Sequence, residues 1–312
     1  MSEVAFFDEN EFIGSINYSF PLSKISWLKV GGPVDILFRP RNLDHLSRFL
    51  SCVPVEKQVM PIGACSNLLV RDGGLPGIAI KLGRNFSEVE EKDDEVKLGA
   101  GNFSSKVAVN LSERGFDLSF LRTIPGTIGG AIAMNAGCYG HYIGDYVQSI
   151  EGVDKTGKLL RISRENVQFQ YRTSKLPKNF IVTSAIVRPE RMKKATIEEK
   201  MTEMLSKREE TQPIKEASCG STFKNPDGKS SPIFEATTEL KAWRLIDKTG
   251  LRGKKIGRAM VSTKHPNFLI NLGGATARDI EALGEYVRKS VYQKYEIMLD
   301  WEVIRVGRDK LD

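Results

Sequence analysis

The chain has 312 residues, of which 40% are hydrophobic and 27% charged, and its formal net charge is +7. These values are typical of a globular protein of about two domains, and no apolar run reaches the roughly 18 residues that span a bilayer. Because the acidic N-terminus lacks the basic start of a signal peptide, we expect a cytoplasmic protein without membrane insertion. The four cysteines and three histidines have no metal-ligand spacing, which argues against a metal site and a disulfide framework.

The positive charge favours an anionic partner, but it is spread along the chain. Recognition of nucleic acid would require clustered basic residues with interleaved aromatic residues, and such clusters are not obvious in the sequence. We therefore expect no nucleic acid partner. A basic module that binds RNA or nucleotides without turnover stays open as an alternative class.

The first two thirds of the chain are predicted to be rich in strands. Short apolar or alternating runs predict strands at residues 35–38, 58–62, 78–81, 95–98 and 181–187. Helical spacing between Val107 and Leu111 predicts a helix, with Gly115 at its C-terminal end. Residues 150–153 and 159–162 flank a turn at 154–157, which predicts a hairpin.

A charged helix is predicted over residues 195–210, where we place the junction between two domains. Its apolar face carries Ile197, Met201, Met204 and Leu205. We interpret its Lys, Glu and Arg residues as a solvated face.

The remainder of the chain is predicted to be mixed α and β. Leu240, Trp243 and Ile246 predict a short helix that Gly250 ends, and residues 268–271 predict a strand. Thr276 and Asp279 predict a capping box. It would open a helix with an apolar face of Ile280, Leu283, Val287 and Val291.

Three tracts of small residues carry the chemical signal, at residues 63–70, 124–137 and 219–226. Backbone without side chains can approach a ligand closely and point its N–H groups at an anion. Neither GxGxxG nor the P-loop pattern is matched, so Rossmann and kinase-type sites lose support. The first tract alone is equally compatible with a plain loop between two strands. Two such surfaces in one domain favour an extended ligand such as a dinucleotide.

The third tract places Ser221 between Gly220 and Thr222, on a predicted strand edge. It is not a GxSxG elbow and no histidine lies near it in a triad pattern, which argues against hydrolase chemistry. A serine can instead donate its hydroxyl proton to a carbanion whose charge is stabilised by neighbours.

In these tracts and beyond, the chain resembles the UDP-N-acetylenolpyruvoylglucosamine reductase (MurB) family. The matching segments follow family order over nearly the whole chain: residues 30–33, 63–69, 124–140, 171–174, 220–226, 242–247, 261–262 with His265, Asn267, Phe268 and Asn271, and 299–303. Residues 175–187 run directly into a strand without the tyrosine-bearing insertion of the longer subclass. The resemblance is therefore to the shorter, type II subclass.

The resemblance implies an α+β fold with two domains. Residues 1–194 would form a two-lobed FAD-binding domain of the vanillyl-alcohol-oxidase (PCMH) type, with an N-terminal extension over residues 1–20. Residues 195–312 would form a C-terminal α+β domain that closes over the UDP-sugar substrate. We expect the protein to be a monomer.

The resemblance also implies a reaction in peptidoglycan precursor synthesis. NADPH, the co-substrate, would reduce FAD, and the flavin N5 hydride would pass to the enolpyruvyl double bond of UDP-N-acetylglucosamine enolpyruvate. Protonation of the enolate then gives UDP-N-acetylmuramate. By position, Ser221 is the proton donor, Arg172 stabilises the carboxylate and the enolate, and Glu302 is the third catalytic residue. A guanidinium can pair with a carboxylate through two parallel hydrogen bonds and hold its growing charge.

Further residues are assigned by their positions in the matching segments, and no metal ligand is implied. The residues implied to bind FAD are Gly31, Gly63, Ala64, Cys65, Ser66, Asn67, Leu68, Pro125, Gly126, Thr127, Gly129, Gly130, Asn135, Ala136 and Gly137. The residues implied to bind the substrate are Tyr171, Lys224, Asn225 and His265.

Three residues depart from the family pattern. Cys65 stands where glycine is usual, Cys219 where alanine is common, and Met260 where many members carry a polar residue. We expect the backbone at Cys65 to lie slightly farther from the pyrophosphate, and the Met260 position leaves one sugar or phosphate contact open. The alternative within the enzymes is an FAD-dependent oxidase of the same fold that acts on another alcohol or sugar.

Overall fold

The computed structural model describes residues 8, 11, 12, 15–230 and 240–310 of the chain. Most of the predicted N-terminal extension therefore lies outside the described residues. The helices are α1 (Leu43–Cys52), α2 (Ser104–Ser112), α3 (Ile128–Ala133), α4 (Lys194–Thr211), α5 (Ala242–Lys248) and α6 (Ala277–Tyr295). Short 3-10 turns lie at Leu22–Lys24, Arg84–Phe86, Ser119–Thr123, Ile143–Asp145 and Arg164–Asn166.

The strands of the described residues are numbered in chain order. Those before α4 are β1 (Ile16–Pro21), β2 (Pro33–Phe38), β3 (Val59–Pro61), β4 (Leu68–Val70), β5 (Leu75–Ile80), β6 (Val89–Lys92), β7 (Glu95–Gly99), β8 (Phe116–Asp117), β9 (Gly137–Cys138), β10 (His141–Tyr142), β11 (Val147–Val153), β12 (Leu159–Ser163), β13 (Gln168–Gln170), β14 (Thr173–Lys175), β15 (Ile181–Val187) and β16 (Glu190–Arg191). Those after α4 are β17 (Ala217–Ser218), β18 (Lys255–Ile256), β19 (Ala259–Val261), β20 (Leu269–Asn271) and β21 (Ile304–Val306).

The first lobe is built on a four-stranded sheet in the order β1-β2-β5-β3. β1 runs antiparallel to β2, whereas β5 is parallel to both of its neighbours. Leu46, Phe49 and Leu50 form the buried stripe of α1. Their three- and four-residue spacing gives the helix one apolar face, and that face packs on the sheet.

The second lobe is a five-stranded antiparallel sheet in the order β12-β11-β15-β7-β6. All seven side chains of the central strand β15 are buried, which explains why its sequence is a continuous apolar run rather than an alternating one. The predicted hairpin is confirmed as β11 and β12, which pair from Ser149 with Ser163 to Val153 with Leu159.

Helix α4 packs on the second lobe. Its buried residues Ile197, Met201 and Met204 belong to the hydrophobic core that also includes β7 and β15. The helix therefore packs as a component of the N-terminal part of the chain. Its last turns also contact the C-terminal part. The division at residues 194 and 195 stays a prediction.

The C-terminal unit combines the sheet β17-β20-β19-β18 with α5 and α6. The predicted apolar face of α6 is confirmed, and so is its capping box. The Thr276 hydroxyl accepts a hydrogen bond from the Asp279 N–H at 3.0 Å, and the Asp279 carboxylate accepts one from the Thr276 N–H at 3.1 Å. The prediction for Leu240 is wrong, because α5 begins at Ala242 and the Leu240 side chain is exposed.

The last strand of the described chain returns to the N-terminal part. β21 is parallel to β4, with Ile304 opposite Leu68 and Val306 opposite Val70. The core of the C-terminal unit also takes in Leu28, Val30 and Leu69. These contacts hold the C-terminal unit against β4 and the segment that precedes β2.

In the parts of the chain that the structure describes, every helix is too short or too polar to cross a bilayer.

Candidate active site

The three small-residue tracts meet around one cavity of about 970 Å³. Its volume lies at the upper end of the range for small-molecule sites, which suits a large ligand. The predicted site residues in its wall are Gly63, Ala64, Cys65, Ser66, Asn67, Leu68, Pro125, Gly126, Thr127, Gly130, Ala136, Gly137, Tyr171, Arg172, Ser221, Asn225, His265 and Glu302.

The first and second tracts touch each other at the base of the cavity. The Ser66 hydroxyl donates a hydrogen bond to the Pro125 carbonyl at 3.2 Å. A Cβ added at Gly63 would lie 2.7 Å from Thr127 Oγ1, and one added at Gly126 would lie 2.9 Å from Ser66 Oγ. The missing side chains therefore allow two loops to approach closely and leave backbone, rather than side chains, facing the cavity.

Cys65 has a φ of 52°, in the left-handed region that glycine adopts most easily. This conformation gives a physical reason why glycine is usual at this position. The Cys65 side chain is buried, and burial raises the pKa of its thiol despite the nearby Lys81.

Four predicted site residues lie outside the cavity wall. Gly31 and Gly129 back onto Val70 and Ala100, respectively. The buried Asn135 donates from Nδ2 to the Gln170 carbonyl at 2.9 Å and accepts from the Gly144 N–H at 3.0 Å. The fourth is Lys224, whose N–H donates to the Asp300 carbonyl at 2.8 Å. Their geometry is that of residues that hold the wall in place, and their ligand contacts stay a prediction.

Arg172 and Glu302 form a buried ion pair in the cavity wall. The Nε of Arg172 lies 2.7 Å from Oε1 of Glu302, and its Nη1 donates to the Gly137 carbonyl at 2.8 Å. Arg172 occupies the two-residue turn between β13 and β14 with a φ of 57°. The turn thus delivers the guanidinium to the cavity from the second lobe, while Glu302 comes from the C-terminal unit.

Backbone pairing joins the residues that follow Ser221 to the segment that carries Glu302. Phe223 and Trp301 form an antiparallel bridge, and the Thr222 carbonyl accepts from the Glu302 N–H at 2.8 Å. Among the described residues, the Ser221 hydroxyl has no hydrogen-bond partner. The three predicted catalytic residues, which are separated by up to 130 positions in sequence, therefore line one cavity.

Burial shapes the ionisation of these groups. It raises the pKa of Glu302, and the opposing effect of Arg172 only partly offsets it. For Arg172, burial disfavours the cation, but Glu302 and Tyr171 outweigh it and raise the pKa. Burial and the Glu302 charge raise the pKa of Tyr171 to about 12, so this phenol stays neutral; its oxygen accepts from the Asn225 N–H at 3.4 Å.

His265 lies in the cavity wall on the C-terminal side, next to Phe268. Burial, with a smaller contribution from Arg252, lowers its pKa to about 4, so the imidazole is neutral at pH 7. Its Nδ1 is buried without a hydrogen-bond partner among the described residues.

Part of the cavity wall lies on helix α4, where no site residue was predicted. Lys207, Arg208 and Glu210 line the cavity. Lys207 and Glu210 are exposed, as our interpretation of a solvated face predicts, but the interpretation is wrong for Arg208, whose guanidinium is largely buried. A signal was present, because Arg208 follows Met201 and Met204 at the spacing of the buried stripe. Cavity residues without a predicted role also include Cys138, Tyr139, Trp243, Arg252 and Lys264.

The departures from the family pattern have separate outcomes. Cys219 is buried in the cavity wall, where its thiol contacts the Leu68 carbonyl at 3.4 Å. Met260 lies in β19, outside the cavity wall. Among the described residues, no group of three or more His, Cys, Asp or Glu side chains is arranged to hold a metal ion.

Comparison with known proteins agrees with this architecture. Residues 34–163 match the family model of the FAD binding domain, and residues 212–306 match that of the UDP-N-acetylenolpyruvoylglucosamine reductase C-terminal domain. The fold and the site thus define a flavin-dependent oxidoreductase with an FAD-binding domain followed by a C-terminal α+β domain. The predicted fold class is confirmed.

Close relatives cover nearly the whole chain. The UDP-N-acetylenolpyruvoylglucosamine reductase of Ruegeria pomeroyi is 46% identical over 306 residues, which is 98% of this chain and 99% of that protein. That of Paracoccus denitrificans is 47% identical over 296 residues, or 95% of this chain and 97% of the relative. The chain belongs to the UDP-N-acetylenolpyruvoylglucosamine reductase (MurB) family.

A solved structure of the family has the same overall fold. The crystal structure of the reductase from Thermus caldophilus is 32% identical in sequence, with a TM-score of 0.78 over 92% of this chain and 97% of that one.

Proposed function

We propose that the protein uses FAD and NADPH to reduce UDP-N-acetylglucosamine enolpyruvate to UDP-N-acetylmuramate. The observation that carries the proposal is the convergence of Arg172, Glu302 and Ser221 on the cavity that the glycine tracts wall. The family membership of the chain supports the same reaction. Action on this substrate as a monomer, with NADPH rather than NADH as the co-substrate, is part of the proposal.

The cavity fits a dinucleotide cofactor. Two touching loops present backbone at its base, where a Cβ at Gly63 or Gly126 would meet the opposite loop. In the proposed assignment, residues 63–68 and 125–130 would hold the FAD diphosphate through backbone N–H groups, and residues 136–137 would belong to the same cofactor site. Bound FAD supplies the hydride.

Arg172 binds the substrate carboxylate in this proposal. Its Nε and Nη1 are occupied by Glu302 and the Gly137 carbonyl, which fix the plane of the guanidinium. Among the described residues, its Nη2 has no acceptor, which leaves donors for the carboxylate. Because the group is buried, its positive charge stabilises negative charge that develops next to the carboxylate more strongly than it would in water.

Ser221 donates its hydroxyl proton to the carbon next to the carboxylate. A serine hydroxyl is a weak acid in water, and it becomes an effective donor only to a strongly basic enolate in a site that excludes water. Among the described residues, no protein acceptor competes for this proton. Glu302 orients the Arg172 guanidinium through their ion pair.

Tyr171, Asn225 and His265 are proposed to contact the sugar nucleotide. Tyr171 and Asn225 are joined through the phenol oxygen, and both line the cavity. All three residues supply a neutral polar group, which suits hydroxyl and amide groups of a sugar better than a phosphate.

The experiment is an absorption spectrum of the purified protein, followed by an assay of NADPH oxidation with and without the enolpyruvyl sugar. We expect a flavin spectrum and oxidation that depends on the sugar. A colourless protein that FAD cannot reconstitute would contradict the proposal. Rapid reoxidation of the reduced flavin by oxygen, with no effect of the sugar, would favour the oxidase alternative.

A further inference from the structure

One end of the cavity is lined by basic residues from two parts of the chain. Lys207 and Arg208 come from the last turns of α4, and Lys264 comes from the loop between β19 and β20. The Lys264 ammonium donates to the Glu209 carbonyl, so the loop and the helix are in contact. The basic end of the cavity is therefore assembled only when the C-terminal unit packs against α4.

The charges of the cavity wall do not balance. Arg172 is paired with Glu302, and Arg252 is paired with Asp247 at 2.6 Å. The remaining charged residues of the described wall are Lys207, Arg208 and Lys264 on one side and Glu210 on the other. Two positive charges are thus in excess. Lys207, Lys264 and Glu210 are exposed, so Arg208 is the enclosed part of this excess.

Arg208 is the least compensated of these cations. Its Nε is buried and has no hydrogen-bond partner, and no carboxylate among the described residues forms an ion pair with it. Its nearest titratable neighbours are the Cys138 thiol and the Tyr139 phenol, both neutral, and burial lowers its pKa. A buried, unpaired cation is costly for the folded protein unless a ligand supplies the missing anion.

A second unsatisfied group lies in the same wall. Four buried side-chain polar atoms lack a partner among the described residues, and the cavity wall contains two of them, Arg208 Nε and His265 Nδ1. Buried polar atoms are nearly always hydrogen-bonded in folded proteins, so this coincidence points to a polar ligand.

We propose that Arg208, assisted by Lys207 and Lys264, binds a phosphate group of a nucleotide ligand in this cavity. A guanidinium presents paired donors that match two phosphate oxygens, and it stays charged when it is buried. The inference rests on the proposed function, since FAD, the UDP-sugar and NADPH each carry a diphosphate. The contact lies on a helix that neither family model includes. The FAD-binding model ends at residue 163, and the reductase C-terminal model begins at residue 212.

The test replaces Arg208 by methionine, which keeps the length of the side chain and removes its charge. Three dissociation constants are measured: FAD for flavin-depleted protein by flavin fluorescence, and UDP and NADP⁺ for the FAD-loaded protein by calorimetry. We expect Arg208→Met to weaken one of the three by roughly tenfold or more, as loss of a charged hydrogen bond does. The probe that is weakened identifies the source of the phosphate.

The control is Lys289→Gln, which removes one exposed positive charge from α6 outside the cavity wall. It should change each constant by less than about twofold, because an exposed, distant charge is screened by salt. A second readout separates ligand binding from a structural role. Arg208→Met should raise the thermal midpoint of the flavin-depleted protein, since an uncompensated buried charge is removed.

Unchanged affinities for all three probes, or a lowered thermal midpoint with unchanged affinities, would overturn the inference while leaving the proposed function intact. A wild-type protein that binds none of the probes would contradict both. If Arg208→Met does not fold, Arg208→Lys decides the question. It keeps the charge but loses the planar fork, so it should measurably weaken binding of one of the three probes, and wild-type affinity for all three probes would overturn the inference.

Discussion

The Ser221 hydroxyl lies in the cavity wall beside Glu302 and has no partner among the described residues, so replacing it should remove one chemical function and little structure. We expect Ser221→Ala to leave reduction of FAD by NADPH within about twofold of wild type. Reoxidation of the flavin by the enolpyruvyl sugar should slow by roughly 10²- to 10⁴-fold, the usual contribution of a positioned general acid. Stopped-flow absorbance of the flavin measures the two half-reactions separately.

Ser51→Ala is the matched control, because the Ser51 hydroxyl only donates to the Arg48 carbonyl within α1, far from the cavity wall. Both of its half-reactions should proceed at wild-type rates. Equal slowing of both half-reactions in Ser221→Ala would rule out the assignment of Ser221 as the proton donor.

His265 should make the stability of the protein depend on pH. Its pKa is lowered from 6.5 to about 4 in the folded state by burial and by Arg252. Its contribution to stability is therefore fully present above pH 6.5 and is lost as the pH falls through about 4, because the unfolded chain binds the proton first. The shift corresponds to at most about 3 kcal/mol. Urea unfolding of the wild type and of His265→Gln at pH 7 and pH 4.5 measures this term.

The free energy of unfolding should fall less between these pH values in His265→Gln than in the wild type. His45→Gln is the comparison. Burial also lowers the pKa of His45, but this residue lies in the first lobe, away from the cavity. An identical pH dependence in the wild type and His265→Gln would show that His265 is protonated normally in the folded protein.

Among single residues, the sequence predicted best those that belong to a motif with a defined chemical role. Arg172, Ser221 and Glu302 were assigned through a resemblance that quotes their motifs, and the structure places all three in one cavity wall. Arg208 was missed because a charged residue on an amphipathic helix is usually solvated. The neighbours of its guanidinium are remote in sequence, because Cys138 and Tyr139 lie beside it and the Lys264 loop contacts the same turn of α4, and no local pattern encodes these contacts.

At the scale of elements, the capping box of α6 offers a test of local stability. Thr276→Ala removes the acceptor for the Asp279 N–H, which is one of the donors that no helical carbonyl can satisfy. We expect a loss of about 1 kcal/mol in the free energy of unfolding. Urea denaturation with an unchanged m-value measures the loss.

Ser290→Ala on the same helix is the control. The Ser290 hydroxyl donates back to the Tyr286 carbonyl within the helix, and this contact adds nothing to the helix end. Its removal should change stability by no more than about 0.5 kcal/mol. A similar loss in both variants would mean that the Thr276 contact is not a functional cap.

Elements with a long, regular pattern were predicted well, and short ones were not. The seven buried residues of β15 form one continuous run, and the apolar stripe of α6 repeats at helical spacing, so the burial of both follows from sequence. The two-residue strands β8, β9 and β16 carry no period. Each exists because a partner strand is present: β8 pairs with the distant β16, with Asp117 opposite Glu190, and β9 pairs with the nearby β10. The sequence of either strand alone does not identify its partner.

At the scale of the whole molecule, the cavity depends on contacts that are remote in sequence. β21 pairs with β4, and the Asn67 side chain donates to the Glu302 carbonyl at 3.0 Å across 235 positions. The sequence predicted that the three tracts share one site, because each is suited to an extended anionic ligand. It did not predict that the chain returns to its first lobe, since parallel pairing of two three-residue strands leaves no local signature.

The same contacts predict that the two parts of the chain unfold together. Leu69 belongs to β4 but is fully buried in the core of the C-terminal unit. Leu69→Ala should cost about 2–5 kcal/mol, as other leucine truncations in cores do. In a Trp27→Phe background, Trp243 and Trp301 report on the C-terminal unit, and release of FAD reports on the FAD-binding domain. Both signals should shift to lower denaturant concentration by the same amount.

Leu98→Ala completes the test, because Leu98 is fully buried in the second-lobe core and does not belong to the C-terminal core. If β21 and Leu69 couple the units into one cooperative structure, this variant too should move the tryptophan and FAD transitions together. A shift of the FAD transition alone in Leu98→Ala would mean that the C-terminal unit is stable without the lobe that it contacts. The cavity would then be assembled by docking of two independent domains rather than by folding of one.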